Sequence, residues 1–354
     1  MNHKIKLQAD DGLDYFVVQE LKQRFNLTTK PDNVVETTLD KAYELMYYMQ
    51  TIKGCILLLH KQKFTDLEEI KLPSKEIIEI VQNQTCKIEV ERQGEHNFNS
   101  TTAEKILGVK LQQQAKTNYD FKNPEVTIKV IIKQDTCFIG IDLAGRDLSK
   151  RQYKLFNHPV NIKSTIAFSA LILAGLDKTV LDPYSLSGTI PIESAIYKSK
   201  TPVNYYDDNF NINRIQKFNV EKIKPKIERK PKKTYSTDDN FKNLSAQKKN
   251  AKVAGVDKFI EFSRYKLEDL DLKFHEEKPD VIVTMPLEQS KRISQKASES
   301  YQKELFKIAD EILNEKILVL ITKKKLTPYL GYKVTEEFEV KQGKQTMYIV
   351  RCQK

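Results

Sequence analysis

Residues 181–193 read Leu181-Asp182-Pro183-Tyr184-Ser185-Leu186-Ser187-Gly188-Thr189-Ile190-Pro191-Ile192-Glu193, and the reading of the fold turns on them. A short apolar strand at 180–181 enters this stretch, and a helix follows Thr189. The alternation then continues through a strand at 233–235, a helix ending near Ala254, strands at 259–262 and 281–284, a helix over 301–313 and a strand over 316–322. Strands and helices in this order predict a doubly wound α/β unit with a parallel sheet. Two last segments, 338–340 and 346–352, flank Gly343 and read as an antiparallel hairpin at the sheet edge.

Upstream the rhythm differs. Strands at 5–7, 33–37 and 55–59 with helices at 12–25 and 40–49 predict a small α+β unit. A strand at 87–91, the polar turn Gly94-Glu95-His96-Asn97, a helix over 102–117 and strands at 126–132 and 137–142 follow. After Gly145 the chain turns basic, with Arg146, Lys150, Arg151 and Lys154 ahead of an apolar helix at 164–174, and a domain boundary is expected here. A second basic stretch, 198–233, contains Pro225 and Pro231, which keep it from forming a regular helix. It reads either as a binder of phosphate backbones or as a solvated linker.

The chain has 354 residues, enough for two or three domains, and 40% hydrophobic residues with 16 Tyr and 16 Phe fill real cores rather than a disordered chain. The longest nearly apolar run, 166–176, is too short for a membrane helix, so no membrane span is expected. The amino terminus lacks a secretory signal, which predicts a cytoplasmic protein with reduced cysteines. Cys55, Cys86, Cys137 and Cys352 show no C-x-x-C spacing and the five His form no cluster; no metal site and no disulfide framework is expected. Lys and Arg number 59 against 48 Asp and Glu, a formal charge of +11. Such a surplus favours a polyanionic partner, RNA or DNA, although a lysine-rich genome produces the same surplus.

Residues 94–107 (GEHNFNSTTAEKIL), 123–142 (NPEVTIKVIIKQDTCFIGID) and the basic 146–154 (RDLSKRQYK) together resemble a THUMP domain. The resemblance implies docking on structured RNA, chiefly tRNA, through shape and phosphates, because the deep major groove of A-form RNA excludes side chains. His96, Lys105, Lys110, Lys116, Arg146, Lys150 and Arg151 are the RNA-binding residues to expect.

The second half resembles the class I S-adenosylmethionine methyltransferase domain of the THUMP-linked RNA guanine-N2 methyltransferases. Residues 181–193 follow that family's D-P-x-x-G-S-G-T-I-P-I-E signature, 235–256 its second strand and helix, and 280–286 the strand into its N-P-P-Y motif. The implied fold is an N-terminal α+β ferredoxin-like domain (1–60), a THUMP domain (61–155) and a Rossmann-like methyltransferase domain (156–354) with the basic insertion at 198–233. The implied cofactor-binding residues are Thr165, Asp182, Ser187, Gly188, Thr189, Glu193 and Asp238.

Three departures bear on activity. Leu186 stands where the family has glycine, and a left-handed turn there costs about 1 to 2 kcal/mol without glycine. Lys266-Leu267 replaces a D-A pair at the adenine, and an ammonium cannot accept from the adenine amino group. Met285-Pro286-Leu287-Glu288 replaces N-P-P-Y at the catalytic position, removing an amide acceptor and a stacking aromatic. The expectation is a tRNA-binding protein with weak or absent S-adenosylmethionine binding and lost or weakened catalysis, serving as a binding module, an RNA chaperone or a subunit for a partner protein that supplies activity. The alternatives are an active tRNA guanine-N2 methyltransferase in which the Glu288 carboxylate accepts from the substrate amine, and an rRNA methyltransferase.

Overall fold

The computed structural model describes residues 1–354 apart from 82, 116, 117 and 290–292. Among them the strands form two sheets. The first combines β1 (His3–Ala9), β2 (Val34–Thr37), β3 (Ile52–Lys63), β4 (Cys86–Gln93), β5 (Val126–Lys133) and β6 (Thr136–Asp142) in the order β2-β1-β3-β6-β5-β4. Only β4 and β5 pair in parallel. Helices α1 (Asp14–Phe25), α2 (Leu39–Tyr48), α3 (Ser74–Val81) and α4 (Ser100–Ala115) accompany it. Strand β3 lies between β1 and β6 and spans residue 60, where the sequence suggested a boundary. Helix α3 occupies a stretch in which no element was expected.

The second sheet has the order β12-β13-β11-β10-β7-β8-β9, from β7 (Val180–Asp182), β8 (Thr234–Thr237), β9 (Ile260–Ser263), β10 (Val281–Thr284), β11 (Ile317–Thr322), β12 (Lys333–Gln342) and β13 (Gln345–Gln353). Strands β7 to β11 run parallel, and β12 and β13 form the antiparallel edge hairpin around Gly343. Every residue of β10 and β11 is buried, as expected for parallel strands covered on both faces. The helices are α5 (Ser164–Ala174), α6 (Thr189–Lys198), α7 (Phe241–Val253), α8 (Leu270–Lys273) and α9 (Gln295–Ile312). The predicted doubly wound architecture is therefore present. Strand β7 has β8 on one side and β10 on the other, so the winding reverses there and opens a crevice at the carboxyl ends of the strands.

The two halves share one hydrophobic cluster running from Ile5 in β1 to Ile349 in β13. Three polar joints reinforce it. At the first, Asp10 accepts from Lys163 Nζ and Thr165 Oγ1, both at 2.7 Å, while the Phe16 ring lies 4.9 Å from that of Phe338. Gly12 is obligatory there, since a Cβ would fall 2.3 Å from the Glu339 carbonyl oxygen. At the second, the Arg151 guanidinium donates to Glu193 Oε1 at 3.0 Å and to the Gln50 carbonyl at 2.7 Å. Gln50 Nε2 reaches Glu193 Oε2 at 2.7 Å, and Glu20 accepts from the backbone N–H groups of Gln50 and Thr51. At the third, Asn204 donates to the Met46 carbonyl at 2.8 Å and Arg146 pairs with Asp207 at 3.1 Å. The early part of the basic insertion is thus packed against α2 and the loop after β6. From residue 221 it is mostly exposed and carries no helix or strand.

Candidate functional site: a crevice at the strand switch point

Asp182 ends β7 and Thr284 ends β10, and the Thr284 hydroxyl donates to Asp182 Oδ1 at 2.6 Å across the switch point. Burial raises the Asp182 carboxyl to about 7, opposed by the bonds from Thr284 and from the Tyr184 backbone N–H. The turn that follows closes on itself: Ser185 Oγ donates to the Asp182 carbonyl, and the Gly188 N–H to the Ser185 carbonyl. Gly188 has φ +84° and caps α6, and a Cβ there would crowd Gln247 at 3.2 Å. Pro191 sits in the first turn of α6, where backbone N–H groups have no intrahelical acceptor to lose.

Leu186 adopts φ +49°, the left-handed conformation expected to need glycine. Its N–H donates to Asp238 Oδ2 at 3.1 Å and its carbonyl accepts from Gln247 Nε2. Asp238, just past β8, accepts in addition from the Asn240 N–H at 3.0 Å and from Asn243 Nδ2 at 3.1 and 3.2 Å. A carboxylate offers about four acceptor positions, and three donors of the chain itself are set on it here, with Asn243 Nδ2 shared between the two oxygens. Burial nevertheless holds the Asp238 carboxyl above its ordinary range.

The crevice between these elements has a volume of about 270 Å³ and is lined by Tyr184, Leu186, Asp238, Tyr265, Lys266, Leu287 and Tyr301, among others. Three tyrosines therefore face it from β7, β9 and α9 or their ends. Tyr184 and Tyr301 meet edge to face at 6.3 Å, and the buried Tyr184 hydroxyl has no hydrogen-bond partner among the described residues. Sequence reasoning missed these rings. Tyr184 lay within the quoted signature, whereas nothing local in the sequence of α9 ties Tyr301 to it.

Of the residues implied to bind a cofactor, Asp182, Ser187, Gly188, Thr189 and Asp238 cluster around this turn. Thr165 and Glu193 do not line it. Thr165 is fully buried with its hydroxyl on Asp10, and the fully buried Glu193 is engaged by Arg151, Gln50 and Tyr153. Both hold the two halves of the chain together.

Met285 and Pro286 are buried and do not line the crevice, whereas Leu287 does. Glu288 faces the other way. Its Oε1 accepts from the Lys323 N–H at 2.8 Å, beside a separate cleft between α9 and the loop after β11, and burial raises its carboxyl. A role for Glu288 as acceptor in the Asp182 crevice has no support in this arrangement.

The expected RNA-binding residues divide sharply. Arg151 is buried with all its contacts inside the protein, so it cannot meet a phosphate; the basic pattern concealed this because its partners are distant in sequence. Arg146 is tied to Asp207 and Asn204, Lys110 is paired with Glu68 at 3.3 Å, and His96 bonds the Gln134 carbonyl at 2.8 Å. Lys105 on α4 and Lys150 after β6 are exposed and unpaired among the described residues. Lys116 lies outside the described residues. All four cysteines are buried. No described helix is long and apolar enough to cross a membrane, and no cluster of three or more metal-ligating side chains occurs among the described residues.

Comparison with known proteins agrees with this architecture. The UPF0020 family, described as an RMKL-like methyltransferase domain, matches residues 151–350, and the THUMP domain matches residues 64–142. The tRNA (guanine(6)-N2)-methyltransferase of Methanocaldococcus jannaschii is 31% identical over 326 residues, 85% of this chain and 85% of its own length. The crystal structure of TrmN from Thermus thermophilus superposes with a TM-score of 0.69 at 18% identity over 99% of both chains. That of SMU.472 complexed with SAH gives 0.74 at 15% identity over 99% of this chain and 97% of that one. With an N-terminal THUMP domain joined to a doubly wound sheet of this order, the chain belongs to the RMKL-like methyltransferase family.

Proposed function

We propose that this chain is a cytoplasmic tRNA-binding member of the family in which S-adenosylmethionine binding and methyl transfer are weakened or lost, with residues 1–155, whose single sheet β3 carries across residue 60, and 156–354 as its working units. The observation that carries this is the lock between Leu186 and Asp238. The carboxylate that would take the cofactor's ribose hydroxyls already accepts from Leu186, Asn240 and Asn243, which leaves it little capacity for a diol, and the Leu186 side chain occupies ground a glycine would leave open. Lys266 lines the same crevice and brings a donor-only ammonium where the adenine amino group needs an acceptor. The residues present therefore do not fit the cofactor well. Of the residues expected to bind RNA, Lys105 and Lys150 are the ones exposed and unpaired among the described residues, and a protein partner would supply whatever activity the RNA requires.

A second reading, an active tRNA guanine-N2 methyltransferase, is favoured by the tyrosines of the crevice, which offer the stacking surface that Glu288 does not. The name of the Methanocaldococcus relative points the same way. The experiment that separates the readings titrates S-adenosylmethionine into the protein by calorimetry. It then incubates the protein with unmodified tRNA transcript and labelled cofactor, digesting the RNA to nucleosides. The proposed reading expects a dissociation constant weaker than about 10 μM, or roughly −7 kcal/mol, and no labelled N2-methylguanosine. Labelled product that disappears in Tyr301→Ala would overturn it.

A further inference from the structure

A cavity of about 790 Å³, larger than the crevice at Asp182, opens where three parts of the chain meet: the end of α1 with α2, the end of α6, and the exposed part of the basic insertion. Asp177 and Lys232 on its wall precede β7 and β8, so it lies toward the amino ends of the parallel strands, away from the cofactor crevice.

Its electrostatics are unbalanced. Lys198, Lys200, Lys224, Lys226 and Lys232 line it, and none has a carboxylate within salt-bridge distance among the described residues. Lys198 Nζ donates only to the Lys233 carbonyl and the Thr234 hydroxyl, each at 3.1 Å. Burial, together with the charge of Lys232, lowers its ammonium to about 7. Two carboxylates line the cavity, Glu44 and Asp177, and Glu44 is already paired with Lys41. Cations brought together at such a cost in repulsion and desolvation are relieved by a multiply charged anion.

One wall is aromatic and fixed. The Arg24 guanidinium is held by the Tyr48 carbonyl at 2.8 Å, Gln50 Oε1 at 3.2 Å and Glu20 at 3.3 Å. It lies 5.2 Å from the ring centroids of both Tyr48 and Tyr197. Guanidinium and phenol planes are the surfaces on which unstacked bases rest in protein complexes.

We propose that this cavity is a nucleotide-binding site, distinct from the cofactor crevice, that stacks a base on the Arg24–Tyr48–Tyr197 wall and holds its phosphates with Lys198, Lys200 and the lysines of the insertion. The nucleotide is either free or the end of an RNA strand, and both present the same base and phosphates. The site does not depend on whether methyl transfer survives.

The test uses the full chain in calorimetric titrations with ADP, adenosine, inorganic pyrophosphate and a 5′-phosphorylated single-stranded RNA hexamer. ADP or the hexamer should bind at least tenfold tighter than adenosine or pyrophosphate, and S-adenosylhomocysteine should not displace either. Binding of both identifies a free nucleotide as an acceptable occupant; binding of the hexamer alone assigns the site to an RNA end. Lys224→Ala/Lys226→Ala/Lys232→Ala, all on exposed residues, should weaken binding tenfold or more without changing the melting temperature. Tyr197→Leu should weaken ADP or hexamer and leave pyrophosphate unchanged. The proposal is overturned if neither ADP nor the hexamer binds at millimolar concentration, if pyrophosphate binds as tightly as they do, if the triple variant binds like wild type, or if S-adenosylhomocysteine competes.

Discussion

The hydroxyl of Thr284 sits 2.6 Å from Asp182 Oδ1, so the two strands flanking the switch point are bonded through a carboxyl whose own proton comes off only near neutrality. Crevice geometry and protonation are coupled at that contact, and the coupling has a measurable sign.

Asp182 is buried, and its folded-state pKa of about 7 lies above the value of about 4 for an unfolded aspartate. Between these values the folded protein holds a proton the unfolded chain has released, so stability from this group is present at low pH and is lost as pH rises through the window. Relative to Asp182→Asn, which keeps an acceptor for Thr284, wild type should lose on the order of 4 kcal/mol between pH 4 and pH 8. Urea unfolding of both proteins at the two pH values reads this directly. A difference that stays constant with pH would remove the buried-proton account.

Leu186→Gly combined with Lys266→Asp should tighten S-adenosylmethionine binding at least roughly tenfold, or about 1.4 kcal/mol, by freeing the turn and removing a cation from the crevice. Calorimetry supplies the comparison. Unchanged affinity would mean that neither side chain limits the site.

Arg151→Ala should cost about 3 to 5 kcal/mol of stability, because it strands the fully buried Glu193 carboxylate without its cation. Denaturant midpoints measure the loss. A cost typical of an exposed basic residue, under about 0.5 kcal/mol, would contradict the buried pairing.

Lys105→Ala and Lys150→Ala should each weaken tRNA binding and reduce the slope of log affinity against log salt by about 0.7 to 0.9 per lost phosphate contact. Filter binding at several salt concentrations tests it, with Lys110→Ala, already paired to Glu68, expected to change the slope less. Equal slopes in all three variants would place the RNA elsewhere on the protein.

The parallel sheet was legible because its information is local: short strands of three to six residues between helices, and a turn whose left-handed residue could be located from Leu186 alone. The uses of individual side chains were less so. Lys150 and Arg151 are neighbours in one basic run, yet one is exposed and the other buried. What separates them is Glu193, 42 residues later, and Gln50, 101 residues earlier. Glu288 points out of the expected crevice because its acceptor is claimed by a backbone N–H 35 residues on. Sequence spacing registers a side chain's chemistry but not the partner that consumes it.

The three joints between the halves, at Asp10, Glu193 and Asn204, leave the chain without a free hinge between its first sheet and its second. For an RNA held on the THUMP unit, the protein then behaves as a caliper. Under the proposed tRNA-binding reading, the span from the point of grip to the crevice is set by the protein, so lengthening or shortening the RNA helix between them by a base pair would change which nucleotide faces the crevice.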